Sequence, residues 1–260
     1  MILELIQKIN YSGGFILMKE IKMKYGQGTM NALIDEKNVI EVIKSNPVKQ
    51  DKTEDEVISE SLCNPIDSKR LKDIVKEGET VCILVSDITR YWQKPYKFLP
   101  KIVEELNAGG VKDEDIIFIV AVGSHREQTK EEHDMILGEK LSKRFKVYDH
   151  DCFDEKGMVY LGDTSHGTPV KINKKAMECD HIVLTGAIIY HFLVGWAGGK
   201  KSILPGIASF ETISKNHSLS LNEGLGSGVR DEICSGNIIG NPVHDDMLQA
   251  AAMVKPSFMF

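Results

Sequence analysis

The chain has 260 residues, 42% of them hydrophobic and 27% charged, with a formal net charge of −6. That length holds one large α/β domain or one and a half smaller ones. The acidic balance argues against a general nucleic-acid binder, and no apolar run reaches the roughly 18 residues of a membrane-crossing helix. The five cysteines, Cys63, Cys82, Cys152, Cys179 and Cys234, are odd in number and widely spaced, with no C-x-x-C pair. They read as free thiols in a reducing cytoplasm, not as a disulfide framework or zinc ribbon.

From the N-terminus, residues 1–17 contain an apolar run but lack the basic start and small-residue cleavage site of a signal peptide. Met18 opens an alternating stretch, and the codons of Gly13 and Gly14 could spell a purine-rich ribosome-binding site. Residues 1–17 are therefore read as a misassigned leader, with Met18 as the natural start. Residues 19–45 predict two strands and a short helix over 35–43. The polar stretch 46–78 carries expected helices at 54–62 and 68–75. Val81 to Val85 is a continuous apolar strand, followed by Ser86 to Arg90 and a helix over 96–108 that ends at Gly109 and Gly110.

The pattern then recurs. A strand over 116–122 leads into the loop Gly123 to Gln128, and Thr129 with Glu132 forms a capping box that opens a helix. Strands follow at 145–148 and 158–161, then a turn over 162–169 and a longer strand over 181–189. Residues 210–221 and 243–254 read as helices. Residues 255–260 read as the opening of a strand that begins a further domain. Strand–helix alternation predicts an α/β fold: a mostly parallel, Rossmann-like sheet with helices on both faces. One α/β domain is expected over 18–254, in a truncated chain or one separated from a further domain.

Ligands of such folds bind at the carboxyl ends of strands, and three of those ends carry reactive side chains. Ser86, Asp87, Ile88, Thr89 and Arg90 offer hydroxyls, backbone N–H groups and a guanidinium suited to an anion. The plainer reading is a capped turn with a surface arginine. Gly123, Ser124 and His125 would hold an imidazole at the sheet edge, able to move protons near neutral pH. In the run His191 to Gly206, His191 offers a second acid or base. Gly198 and Gly199 let the backbone close beside Lys200 and Lys201, either of which could be covalently modified. His217 offers a metal nitrogen. His133, His150, His181 and His244 read as exposed or core-edge residues, and His166 has no evident role.

In their order, Ser86 to Arg90, Gly123 to Arg126, Gly162 to Ser165, and His191 to Gly206 with His217 beyond, these motifs resemble the lactate racemase family of nickel-pincer-nucleotide enzymes. The resemblance implies a cofactor, nickel-bound pyridinium-3,5-bisthiocarboxylate mononucleotide, tethered through a thioamide to Lys201. It implies His217 as the nickel ligand, with His125 and His191 as the acid/base pair. Asp87, Ile88, Thr89 and Arg90 would contact the nucleotide, with Arg90 also near the substrate. The implied activity is racemisation of a small 2-hydroxy acid, lactate first, by proton-coupled hydride transfer. Relatives acting on malate, 2-hydroxyglutarate or a sugar acid are the nearest alternative. A metal-free Schiff-base lysine enzyme and a nucleotide-binding module without chemistry of its own stand further off. The implied partners are the enzymes that make the cofactor and a C-terminal domain that completes the substrate clamp.

Overall fold

In the computed structural model, residues 6–11, 14–26, 28–49 and 51–260 are described. The chain forms two compact units, Met1–Asp51 and Lys52–Phe260. The first holds an antiparallel meander of β1 (Ile6–Tyr11), β2 (Gly14–Tyr25) and β3 (Gly28–Asp35). Of the expected leader, residues 1–5, 12 and 13 lie outside the described residues; the rest run in β1 and the start of β2, where Ile6 faces Lys19. The helix expected over 35–43 is only a 3-10 turn, Glu36–Asn38, capped by Asp35. The β-branched residues Val39, Ile40, Val42 and Ile43 crowd a helical backbone, which accounts for the early stop.

The second unit is built on five parallel strands: β4 (Val81–Val85), β5 (Ile116–Val120), β6 (Lys146–Asp149), β9 (His181–Leu184) and β12 (Phe258–Met259), in the order β12-β9-β4-β5-β6. The remaining strands form small antiparallel pairs: β7 (Met158–Asp163) with β8 (Pro169–Asn173), and β10 (Tyr190–His191) with β11 (Gly195–Trp196). The helices are α1 (Glu54–Cys63), α2 (Pro95–Ala108), α3 (Lys130–Leu137), α4 (Glu139–Arg144), α5 (Lys174–Met177), α6 (Lys200–Ile203), α7 (Phe210–Ser218) and α8 (Pro242–Val254).

Alternation along each strand divides the interior into two cores. Val81, Ile83 and Val85 of β4 face one core with Phe118, Leu62 of α1, Ile102 of α2 and Ile136 of α3. Cys82 and Leu84 face the other with Ile203 of α6, Ile213 of α7 and Met247 of α8. All five residues of β4 are buried, as a strand covered on both faces requires. The capping box on Thr129 and Glu132 opens α3 as its spacing predicts.

Two further elements depart from expectation. Residues 68–75 yield only a 3-10 turn, Leu71–Asp73, whose start has no side-chain cap. β9 ends at Leu184, because its neighbour β4 ends at Val85 and leaves little ladder to extend. The strand expected in 255–260 is present as β12, which pairs with β9. Phe118 is fully buried and packs edge-on against Phe145 with centroids 5.5 Å apart. Phe118→Ala is expected to cost about 3–5 kcal/mol, read as a fall in thermal midpoint of about 10 °C. An unchanged midpoint would contradict this packing.

Candidate functional site

The chain leaves β4 toward β5 and β6 on one side and later returns to β9 and β12 on the other. The strand order therefore reverses beside β4, and the crevice over that point is where an open parallel sheet binds ligands. Asp87, Arg90, His125, His191, Lys201 and His217 all line one cavity there, of about 330 Å³.

Asp87 follows β4 and is 5% exposed. Its Oδ1 accepts from the Thr89 backbone N–H at 3.0 Å and from the Thr89 hydroxyl, capping the turn Ile88–Gln93. Its Oδ2 meets His125 Nδ1 at 2.5 Å. The carboxylate accepts a hydrogen bond from Nδ1–H, which turns Nε2 away from Asp87. The loop carrying His125 turns at Gly123, at φ +59°, whose N–H donates to Gly206 O at 3.0 Å. A Cβ at Gly206 would stand 2.2 Å from Ser202 O in its own segment and 2.9 Å from Ala121 Cβ after β5, so glycine is required where the two loops meet.

His191 sits in the short β10–β11 ladder, where Tyr190 and Trp196 pack with ring centroids 4.2 Å apart. Its Nδ1 accepts the backbone N–H groups of Leu193 at 3.1 Å and Val194 at 3.4 Å. Its Nε2 lies 2.8 Å from Lys201 Nζ. Lys201 belongs to α6, which opens at Gly199. The residues alone left Lys200 and Lys201 equivalent and the family resemblance pointed to Lys201; in the structure Lys200 Nζ donates to Trp196 O at 3.0 Å, and the residue does not line the cavity.

His217 lies in the last turn of α7, and its Nδ1 donates to Ile213 O at 2.9 Å. That bond fixes the tautomer and leaves Nε2 as a bare acceptor. The neighbouring Asn216 ties α7 to α8 by donating to Val243 O at 3.2 Å and to the buried Asp246 Oδ2 at 2.8 Å.

Burial first, then the nearby charges of Lys201 and Arg90, push the His191 imidazole down to about 4. Burial, with Arg90 and Lys200, pushes Lys201 down to about 8. Burial, helped by Lys201 and opposed by the Ile213 carbonyl, lowers His217. The hydrogen bonds agree with these directions. A neutral His191 that accepts at Nδ1 carries its proton on Nε2, so Lys201 can bond to it only as a free amine. Among the described residues Asp87 is the one acidic side chain lining the cavity, and it is engaged by His125.

Two of the residues expected to touch a nucleotide do not line the cavity. The Ile88 side chain packs against the first core, and the Thr89 hydroxyl bonds Asp87. His166 is also absent from the lining. His150, expected at the surface or core edge, is 1% exposed and meets Ala208 O through Nε2 at 2.9 Å. The sequence reading missed the pairing of Asp87 with His125, because the two are 38 residues apart and only the parallel β4–β5 register joins them. It also missed Gln128, whose side chain bonds Ile88 N at 2.9 Å.

A parallel sheet reversing beside β4, with a lysine and three imidazoles gathered over its strand ends, defines a doubly wound α/β domain shaped for a ligand. Residues 25–228 match the lactate racemase N-terminal domain family, and the chain belongs to that family. It is 33% identical over 244 residues to lactate racemase of Lactiplantibacillus plantarum, covering 93% of this chain and 56% of that protein. The lactate racemase apoprotein structure from Thermoanaerobacterium thermosaccharolyticum superposes with a TM-score of 0.78 at 30% identity, over 92% of this chain and 54% of that one. A Thermotoga maritima protein shares the fold at 22% identity and a TM-score of 0.62, over 80% of this chain and 49% of that one. The chain thus spans about half the length of these relatives.

The lowered value of Lys201 gives a direct prediction. At pH 8 about half of Lys201 is free amine, against under about 1% of an ordinary lysine. In competitive acetylation read by peptide mass spectrometry, Lys201 labelling should rise through about pH 8 and then level off. Exposed lysines should still be rising about two pH units higher. A Lys201 profile that tracks the exposed lysines would contradict the assignment.

Proposed function

We propose that this chain is the N-terminal, cofactor-holding part of a 2-hydroxy acid racemase, with lactate as the substrate, working in the cytoplasm. The observation that carries the reading is the convergence of Lys201, His217, His191 and the Asp87–His125 pair in one cavity of a lactate racemase N-terminal domain. Residues 18–254 form the catalytic and cofactor-binding part, and a C-terminal domain completes the substrate clamp. Cofactor-synthesis enzymes are the other partners. All five cysteines are free, which supports the compartment, and among the described residues no helix is long and apolar enough to cross a membrane.

The side chains fit a nickel-pincer nucleotide. Among the described residues no three His, Cys, Asp or Glu side chains gather as a metal cage. A metal at this site would therefore draw most of its donors from the molecule that carries it. His217 Nε2, bare because Nδ1 is engaged, is the protein nitrogen such a metal would take, and imidazole suits nickel. Lys201 Nζ, poised as a free amine, is the point of covalent attachment. When bound, the group supplies a hydride acceptor for the substrate's α-hydrogen.

The protein supplies orientation and proton transfer. Arg90 provides a fixed positive charge for a substrate carboxylate. His125, with Nδ1 held by Asp87, takes the substrate's hydroxyl proton at Nε2. His191 serves the other face: as an imidazolium it gives a proton to the carbonyl oxygen there, and acylation of Lys201 removes one of the charges that hold it neutral. An acylated Nζ no longer accepts from His191, which frees that imidazole for the substrate. The depressed lysine would equally suit imine formation with a keto acid, and borohydride trapping of a Lys201 adduct would favour that reading.

The test is intact and peptide mass spectrometry, with nickel quantified, on chain co-expressed with a pincer-synthesis system. A mass adduct on Lys201 with near-stoichiometric nickel is expected. His217→Ala should keep the adduct and lose nickel, and Lys201→Ala should lose both. In racemising protein, His125→Ala and His191→Ala should each keep the adduct and lose at least about 100-fold in rate. An unmodified Lys201 without nickel, while a control racemase matures in the same cells, would overturn the proposal.

A further inference from the structure

The side chain of Gln128 hydrogen-bonds the residue that follows each member of the Asp87–His125 pair. Its Oε1 accepts the backbone N–H of Ile88 at 2.9 Å, and its Nε2 donates to the carbonyl of Arg126 at 2.9 Å. One planar amide thus bridges the loop leaving β4 and the loop leaving β5, one residue beyond the dyad on each strand end. The amide is itself anchored. Gln128 N donates to Asp149 Oδ2 at 2.9 Å, and Asp149 Oδ1 meets His133 Nε2 at 2.9 Å. Asp149 is the last residue of β6 and His133 lies on α3, so Gln128 is referenced to the third strand end and to α3, the helix that precedes β6.

The loop has a second hold on α3. Arg126 forms a two-pronged ion pair with Glu132, at 2.8 and 2.6 Å, and Glu132 also closes the capping box. The His125 side chain is 54% exposed, so packing alone does not fix its ring. The 2.5 Å approach of His125 Nδ1 to Asp87 Oδ2 therefore depends on how the two backbones are spaced.

We propose that Gln128 is a positioning residue that sets the spacing of the Asp87–His125 pair by stapling the backbone after Asp87 to the backbone after His125. A side chain that donates and accepts at once is required at this place. A carboxylate of the same length keeps the bond from Ile88 N–H but sets oxygen against the Arg126 carbonyl. A thioether of the same length offers neither bond. The inference deepens the reading of His125 as a base, but its test measures the dyad and not the reaction, so it stands or falls separately from cofactor loading.

The experiment is proton NMR of the imidazole N–H of His125 in the 260-residue chain, assigned by its loss in Asp87→Asn and His125→Ala. The wild type should show a far-downfield Nδ1 proton protected from water. In Gln128→Met, with a thermal midpoint lowered by no more than a few degrees, exchange of that proton should rise about tenfold or more and the signal should broaden away. Gln128→Glu, which keeps the bond from Ile88, serves if the methionine variant does not fold, and its exchange should rise in the same direction. A wild-type signal with wild-type exchange in either folded variant would overturn the proposal.

Discussion

Strand β4 is buried on both faces along its whole length and takes a parallel neighbour on each side. Parallel neighbours cannot be joined by tight hairpins, so the chain must leave each strand at its carboxyl end and cross back over the sheet. β5 and β9 lie on opposite sides of β4, so the crossovers diverge and the loops after all three strands open onto one crevice. Asp87 hangs from the first of these loops, His125 from the second, and His191 with Lys201 from the third. Contacts such as Gly123 N to Gly206 O then tie the loops to one another and make the crevice a single site.

Within that crevice the electrostatics favour an anion. Arg90 brings positive charge, while Asp87, the one carboxylate lining the cavity among the described residues, is committed to His125. Holding a lysine in a partly desolvated place disfavours its charged form. That strain is relieved by surrendering the proton, which leaves Lys201 nucleophilic, or by binding a negatively charged ligand. The same burial keeps His191 neutral, so the imidazole and the amine meet as donor and acceptor.

The alternating β4–α2–β5–α3 segment was legible because its signals are local: apolar runs of strand length, the glycine pair after α2 and the capping box on Thr129. Lys201, His191 and His217 stood out because a glycine-rich run after a strand places side chains at a strand end. The structure does bring them together with Asp87, Arg90 and His125. Ile88 and Thr89 were legible as part of a strand-end loop but not as a core contact and a capping contact, because orientation within a turn depends on neighbours far away in sequence. Residue chemistry alone did not choose between Lys200 and Lys201, which only the family resemblance separated, because the choice depends on which face of a four-residue helix meets His191. Gln128 carries no motif at all. Its role arises from where β4, β5 and β6 end relative to one another.

The central claim is that this fold presets an acceptor imidazole nitrogen at His217 and a free amine at Lys201. Nitrogen-15 spectroscopy of the histidine rings, at a pH just above 8, tests it most directly. The account predicts two single neutral tautomers of opposite kind, with the proton on Nδ1 in His217 and on Nε2 in His191. A proton on Nε2 of His217, or on Nδ1 of His191, would contradict it.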